Sequence, residues 1–263
     1  MVVSALFAKT LRDQRRGLVG WSIGTALTVV VMAAIWPSFS AIDLTALLSQ
    51  YPEAMKQAFN ITSMTTGSGY LNAELFSLML PAIFIIFAVA RGARLVAGEE
   101  EDQTLDLLAT MPVSRRRILI EKGLALAVDL AVLALVLLAS LLLSSVAFGL
   151  DIPFLHALNG VVAMFLLGLE LGLLSLAFSA ATGRRGLSVG LSAGLAGASY
   201  LVYLAAQLVD GLRPLRVVSP FYQAISDGPI GPSLPPIALL MPLVGLAGFA
   251  VAVVVFDRRD LAV

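Results

Sequence analysis

Apolar residues in this chain gather into long unbroken runs, divided by short polar stretches rather than alternating with them. Six runs can be read, at roughly 18–37, 72–97, 123–150, 153–181, 187–210 and 237–256. Each is long enough to cross a bilayer, which takes about 20 mostly apolar residues. Backbone in hydrocarbon must pair its own donors and acceptors, so continuous runs of this length are helices; barrel strands are about half as long and alternate in polarity. The pattern predicts an all-α polytopic membrane protein with six transmembrane helices. Composition agrees, since 59% of the residues are hydrophobic and 13% charged, outside the soluble range.

Charge orients the helices, because Lys and Arg are retained on the cytoplasmic side. With the N-terminus inside, Lys9, Arg12, Arg15, Arg16, Arg91, Arg94, Arg115, Arg116, Arg117, Lys122, Arg184, Arg185, Arg258 and Arg259 fall in the cytoplasm. Only Lys56, Arg213 and Arg216 fall outside, so the expected topology is N-in, C-in. The net charge of zero averages two unlike faces and gives no sign of a nucleic-acid partner. Ser38-Phe39-Ser40 has the look of a signal cleavage site, but the run before it exceeds the ~7–15 residues of a signal core and is read as a span.

The polar segments have their own patterns. Val3, Leu6, Phe7 and Leu11 recur at helical spacing with Lys9, Arg12, Asp13 and Arg16 opposite, which predicts an amphipathic elbow helix over 1–17 lying in the interface. Outside, 43–59 carries a stripe of Leu44, Leu47, Leu48, Tyr51 and Met55, with Pro52 opening a second short helix. The extracytoplasmic segment 211–236 holds six prolines and is expected to be turns or broken helices.

The stretch 98–122, GEEEDQTLDLLATMPVSRRRILIEK, lies between the second and third runs and so in water on the cytoplasmic face. Leu105, Leu108 and Ala109 make an apolar strip with Leu107 and Met111 beside it, Pro112 ends that helix, and Ser114 is placed to N-cap the next. A loop that is only solvated, with acids for solubility and arginines for topology, has no use for a leucine strip; a docking surface for a soluble partner does.

Within the runs few residues are polar. Glu170 lies 16 residues after Phe154 and 14 before Arg184, close to the midplane. A carboxylate there costs at least ~2.5 kcal/mol on insertion scales, so it faces protein or a water-filled pathway. Either a hydrogen bond to a neighbouring helix or a place on a substrate pathway accounts for it. Gly168 and Gly172 fall on the opposite side of that helix, a face suited to close packing. Asp129 is nearer the cytoplasmic end and reads as structural, His156 as interfacial. Gly186, Gly190, Gly194 and Gly197, with Ser188 and Ser192, permit close helix approach, either within the chain, the preferred reading, or at a seam between two chains.

Several chemistries are excluded. The chain has no Cys and one His, which leaves zinc almost without ligands. No G-x-x-x-x-G-K-[ST] phosphate loop occurs, so ATP is not bound by that route. Ser68 and His156 stand on different segments with nothing to orient them as nucleophile and base.

At 98–122 the chain resembles the permease subunits of ABC-2 type transporters. That pattern, an acidic stretch, a Gly-Thr-Leu-like step, a leucine pair, Pro-Val-Ser-Arg and a following Lys, stands here as Glu99-Glu100-Glu101-Asp102, Thr104-Leu105, Leu107-Leu108, Pro112-Val113-Ser114-Arg115 and Lys122. Gln103 stands where the family usually has Gly. Ser219-Pro220-Phe221 and the ending Phe256-Asp257-Arg258-Arg259-Asp260-Leu261 are further matches. The resemblance implies one transmembrane permease domain over 1–263 with a cytoplasmic coupling helix between the second and third spans. It implies a separate ATPase subunit, present in two copies, that carries ATP and Mg, while this chain binds no cofactor and catalyses nothing. It further implies a second permease chain, identical or not, membrane lipids as neighbours, and a prokaryotic cell membrane as location. Thr104, Leu105, Leu107, Leu108, Met111, Pro112 and Arg115 would couple to the ATPase, and Glu170 would lie on the substrate pathway. The function implied is ATP-driven export of a hydrophobic or amphipathic substrate. An ion-coupled carrier or channel with Glu170 as its proton or ion site is the alternative.

The topology is tested with single cysteines. Ser49→Cys and Ser226→Cys should react with an impermeant thiol reagent applied to intact cells, and Ser114→Cys should react only after the membrane is opened. Labelling of Ser114→Cys from outside reverses the orientation.

Overall fold

The computed structural model describes residues 5–41, 65–102, 114–226 and 228–259. Six helices are long and apolar enough to cross a membrane: Leu6–Ser40, Met79–Glu101, Arg115–Phe148, Phe154–Thr182, Arg185–Leu208 and Pro236–Arg258. They are called here the first to sixth spans. All six apolar runs are helical, and no strand occurs among the described residues. Ser114 caps the third span as its pattern predicts, accepting a hydrogen bond from the Arg117 N–H. Gly149 and Gly183 end the third and fourth spans at φ of +65° and +63°, the left-handed conformation that stops a helix.

The expected elbow is not a separate element. Ala5–Ser40 is one helix, continuous through residue 17. No proline stands between Arg16 and Val19, and an interior glycine weakens a helix by only about 1 kcal/mol without breaking it. The place of the expected bend is also held from outside. Arg91 of the second span donates through Nη2 to the Gln14 carbonyl at 2.7 Å, and its guanidinium lies where a side chain on Gly17 would go.

The fourth span is the centre of the bundle, packed against the second, third, fifth and sixth. Its glycine face does what the sequence expects. A Cβ on Gly172 would press on Ala88 and Leu126, and one on Gly168 on Leu130 and Phe84. The closest approach is at Gly92, where a Cβ would run into the Gly172 carbonyl oxygen and come within 2.9 Å of the Leu176 nitrogen. Ser175 and Ser179 add hydrogen bonds across this seam, each of 2.9 Å, to the carbonyls of Val89 and Ala93.

The outer spans are different. In the most apolar stretch of the second and fourth spans 61% of residues are buried, against 17% in the first and 22% in the fifth and sixth, so these last three present broad faces to their surroundings. The fifth span splits the small residues that the sequence grouped together. Ser188, Ser192 and Ser199 are buried against the chain, whereas a Cβ on Gly186, Gly190, Gly194 or Gly197 meets nothing within 4 Å. At 100° per residue the two sets lie on opposite sides of one helix, so the glycine row packs against nothing among the described residues.

At the end of the bundle away from the termini, Trp36 Nε1 donates to the Gly149 carbonyl at 3.2 Å. Asn72 both donates to and accepts from Ile230, at 3.2 and 2.9 Å. The proline-rich segment is the broken structure expected of it: a 3-10 helix over Asp210–Val218, a short α-helix over Pro220–Ile225 and a second 3-10 turn over Pro236–Leu239. Phe221 is buried there beside Tyr200, ring centroids 4.9 Å apart. The segment 43–59 lies outside the described residues.

The two kinds of glycine predict opposite responses. Gly92→Ala forces apart two helix backbones and should destabilise by about 1–3 kcal/mol. Gly190→Ala fills space that is open within the chain and, for the chain as a monomer, should leave stability unchanged or raise it by about 0.4–1 kcal/mol. Thermal unfolding of the purified variants in detergent checks both.

Candidate functional site at the charged end of the second span

The second span does not finish as a plain α-helix. Arg94–Gly98 is a π turn, followed by the short helix Glu99–Glu101. A π turn pairs each residue with the fifth along and takes backbone groups off the regular ladder. Two other spans supply partners for this backbone. Lys122 of the third span donates to the Leu95 carbonyl, and Ser179 of the fourth donates to the Ala93 carbonyl while accepting from the Ala97 N–H at 2.8 Å. Lys122 is fully buried, and its Nζ also meets Glu99 Oε2 at 2.5 Å. A buried ammonium is tolerated when it is paired and hydrogen-bonded, and Lys122 is both.

The three glutamates after the turn each reach a different helix. Glu99 takes Lys122 of the third span. Glu100 Oε1 meets Arg259 Nη2 at 2.6 Å, just past the end of the sixth, and Arg259 Nη1 donates to the Ala180 carbonyl of the fourth at 3.0 Å. Glu101 Oε1 accepts from the backbone N–H of Arg185 at 2.8 Å, where the N-terminus of the fifth span favours an anion. Deeper in, Arg91 Nε stands 4.0 Å from Asp129 Oδ2 of the third span, and Arg91 holds Gln14 of the first. Between Arg91 and Glu101, polar groups therefore join the second span to all five others.

Gly183 leaves room for this. A Cβ there would lie 2.6 Å from Glu100 Oε2 and collide with the Arg259 guanidinium, so one residue both ends the fourth span and opens the seat of the ion pair. The basic triplet that starts the third span is tied down as well. Arg115 Nη1 donates to the Arg259 carbonyl at 2.5 Å, Arg116 pairs with Asp257 at 2.9 Å, and Arg117 pairs with Glu121 on its own helix at 2.9 Å. The segment 103–113 thus enters and leaves from anchored ends. Among the described residues no three metal-ligating side chains converge, and a metal centre has no donor set here.

A family model described as ABC-2 family transporter protein matches residues 4–261 of this six-helix bundle. The chain belongs to the ABC-2 transporter family. It is a multi-pass membrane permease, a transport subunit of a family that works with an ATPase subunit. No curated protein matches the chain.

In this ABC-2 permease the predicted coupling residues Thr104, Leu105, Leu107, Leu108, Met111 and Pro112 lie outside the described residues, as does Gln103. Arg115 is described, and it is bound to the backbone of Arg259. Glu170 is far from this end. It is 4% exposed, its Cα lies against Gly245 of the sixth span, and its Oε2 is buried with no hydrogen-bond partner among the described residues. The bond to a neighbouring helix that the sequence allows is therefore not made at that oxygen. Asp129, read from the sequence as structural, is buried with its Oδ2 4.0 Å from Arg91 Nε. The partnerships of Arg91, Ser179, Arg185 and Arg259 were not foreseen. One signal was available, since Arg91 is a cation inside an apolar run and needs a partner there.

Removal of the buried ammonium separates this network from ordinary surface pairs. Lys122→Met takes the ammonium away from Glu99 and the Leu95 carbonyl and should lower stability by about 3 kcal/mol. Arg117→Gln, whose side chain is 62% exposed, should change it by less than about 0.5 kcal/mol. Equal unfolding temperatures for the two purified variants would count against a structural role for Lys122.

Proposed function

We propose that this chain is the membrane half of an ATP-driven exporter, moving a hydrophobic or amphipathic substrate with energy supplied by a separate pair of ATPase subunits that hold ATP and Mg. The observation that carries this reading is the continuity between residues 103–113 and the rest of the bundle. A push on that loop acts first on Glu99–Glu101 and Arg115, and those residues are bonded to the third, fourth, fifth and sixth spans. In this reading Leu105, Leu107, Leu108 and Met111 seat in the ATPase, Thr104 and Pro112 bound the docking helix, and the charged end faces the cytoplasm of a prokaryotic cell, as the fourteen-to-three division of Lys and Arg supports.

The open glycine row of the fifth span, with Gly20 and Gly24 of the first also open, is the surface on which a second permease chain would pack. The substrate would pass along such a seam rather than past Glu170, which is enclosed between the fourth and sixth spans. The ion-coupled alternative rests on Glu170 and gains nothing from that position.

Coupling is tested in the loop itself. Leu105→Asp and Leu108→Asp place a charge where an apolar contact is proposed, so each variant should insert and fold normally yet lose ATPase co-purification or transport-linked ATPase stimulation by at least about tenfold. Unchanged transport in reconstituted vesicles for both variants would sink the assignment.

A further inference from the structure

A cleft of about 380 Å³ opens between the first and third spans near the charged end. Its wall is divided by chemistry: Arg12 and Arg15 on one side, Leu18, Val128 and Val132 along the length, and Asp129 among the lining residues. It adjoins a wider hollow of about 690 Å³ bordered by Arg12, Arg15 and Arg16. None of these three arginines has an ion pair among the described residues, and the one acid beside them, Asp13, pairs with Lys9 at 3.9 Å. Asp129 is 1% exposed with its Oδ2 buried 4.0 Å from Arg91 Nε, so its carboxylate presents almost no surface to the cleft and leaves the arginines to set the charge there.

The depth of the cleft follows from counting. Trp36 is hydrogen-bonded to Gly149, so these two residues mark one level at the opposite end of the bundle. Arg15 is 21 residues from Trp36 and Asp129 is 20 from Gly149. At 1.5 Å per residue both lie about 30 Å away, one hydrocarbon thickness, where headgroups begin. The cleft therefore has cations at headgroup level and an apolar trough running into the membrane.

We infer that this cleft holds one anionic phospholipid. The phosphate would meet Arg12 and Arg15, as guanidinium groups bind phosphate by charge-assisted hydrogen bonds. An acyl chain would lie over Leu18, Val128 and Val132. The net positive charge of the rim selects an anionic lipid over a zwitterionic one. The lipid would also add cover to the first span, the least buried of the six.

The test uses the full-length chain, purified and delipidated in detergent, read by native mass spectrometry and thermal shift against lipids of matched acyl chains. Phosphatidylglycerol should be retained at one molecule per chain and raise Tm, and phosphatidylcholine should bind more weakly. Arg12→Gln/Arg15→Gln, both at exposed positions, should weaken phosphatidylglycerol binding by about tenfold or more, and Arg213→Gln/Arg216→Gln at the other end should leave it unchanged. The inference is overturned if phosphatidylcholine binds as tightly, or if the Arg12→Gln/Arg15→Gln variant binds as the parent does. Equal protection by glycerol 3-phosphate also overturns it, because a soluble phosphate would then suffice.

Discussion

The structure depends on how one interrupted helix end is satisfied. The π turn at Arg94–Gly98 departs from the α ladder inside a buried, low-dielectric setting, where unpaired backbone is costly. Lys122 and Ser179 reach it from neighbouring helices, and Lys122 in turn needs Glu99. The chain therefore cannot form this end of the second span alone; it forms only with the third and fourth spans in register. The glutamates that follow extend the same dependence to the fifth and sixth.

From that knot the bundle divides into a tight interior and an open exterior. The second and fourth spans touch backbone to backbone at Gly92 and Gly172, so they move as one body. The first, fifth and sixth spans lean on this pair and leave faces uncovered. The division leaves the permease with a closed interior and three spans whose outer faces stay open to their surroundings. It also separates two uses of glycine that look alike on paper, one row closed against a helix and the other facing outward.

Much of this was legible in advance, and for a definite reason. Hydrocarbon leaves a backbone few choices, so apolar run length alone located all six spans, and Ser114 and the proline-rich segment declared themselves by local rules. The back-to-back placement of Glu170 and Gly168 was also readable, because helical geometry dictates it. What stayed hidden depends on which helix stands beside which. Glu100 and Arg259 are 159 residues apart, and no local pattern links them. The continuity of the first helix was missed because an amphipathic stripe shows which face is apolar but not whether the helix bends. The fifth span was misjudged because glycine and serine were grouped by size, although their positions place them on opposite sides.

The bond between Glu100 and Arg259 has a consequence for biogenesis. The acid is made and its span inserted long before its partner exists; at about 5–20 residues per second, the intervening 159 residues take roughly 8–32 s. During that interval the nascent chain carries an uncompensated carboxylate at the membrane surface, and the fourth span ends beside an empty seat at Gly183. Arrival of the arginine closes both at once. A product truncated just short of residue 259 would keep all six hydrophobic segments and still lack this closure, so full hydrophobic insertion and full polar assembly are separate events in the making of this permease.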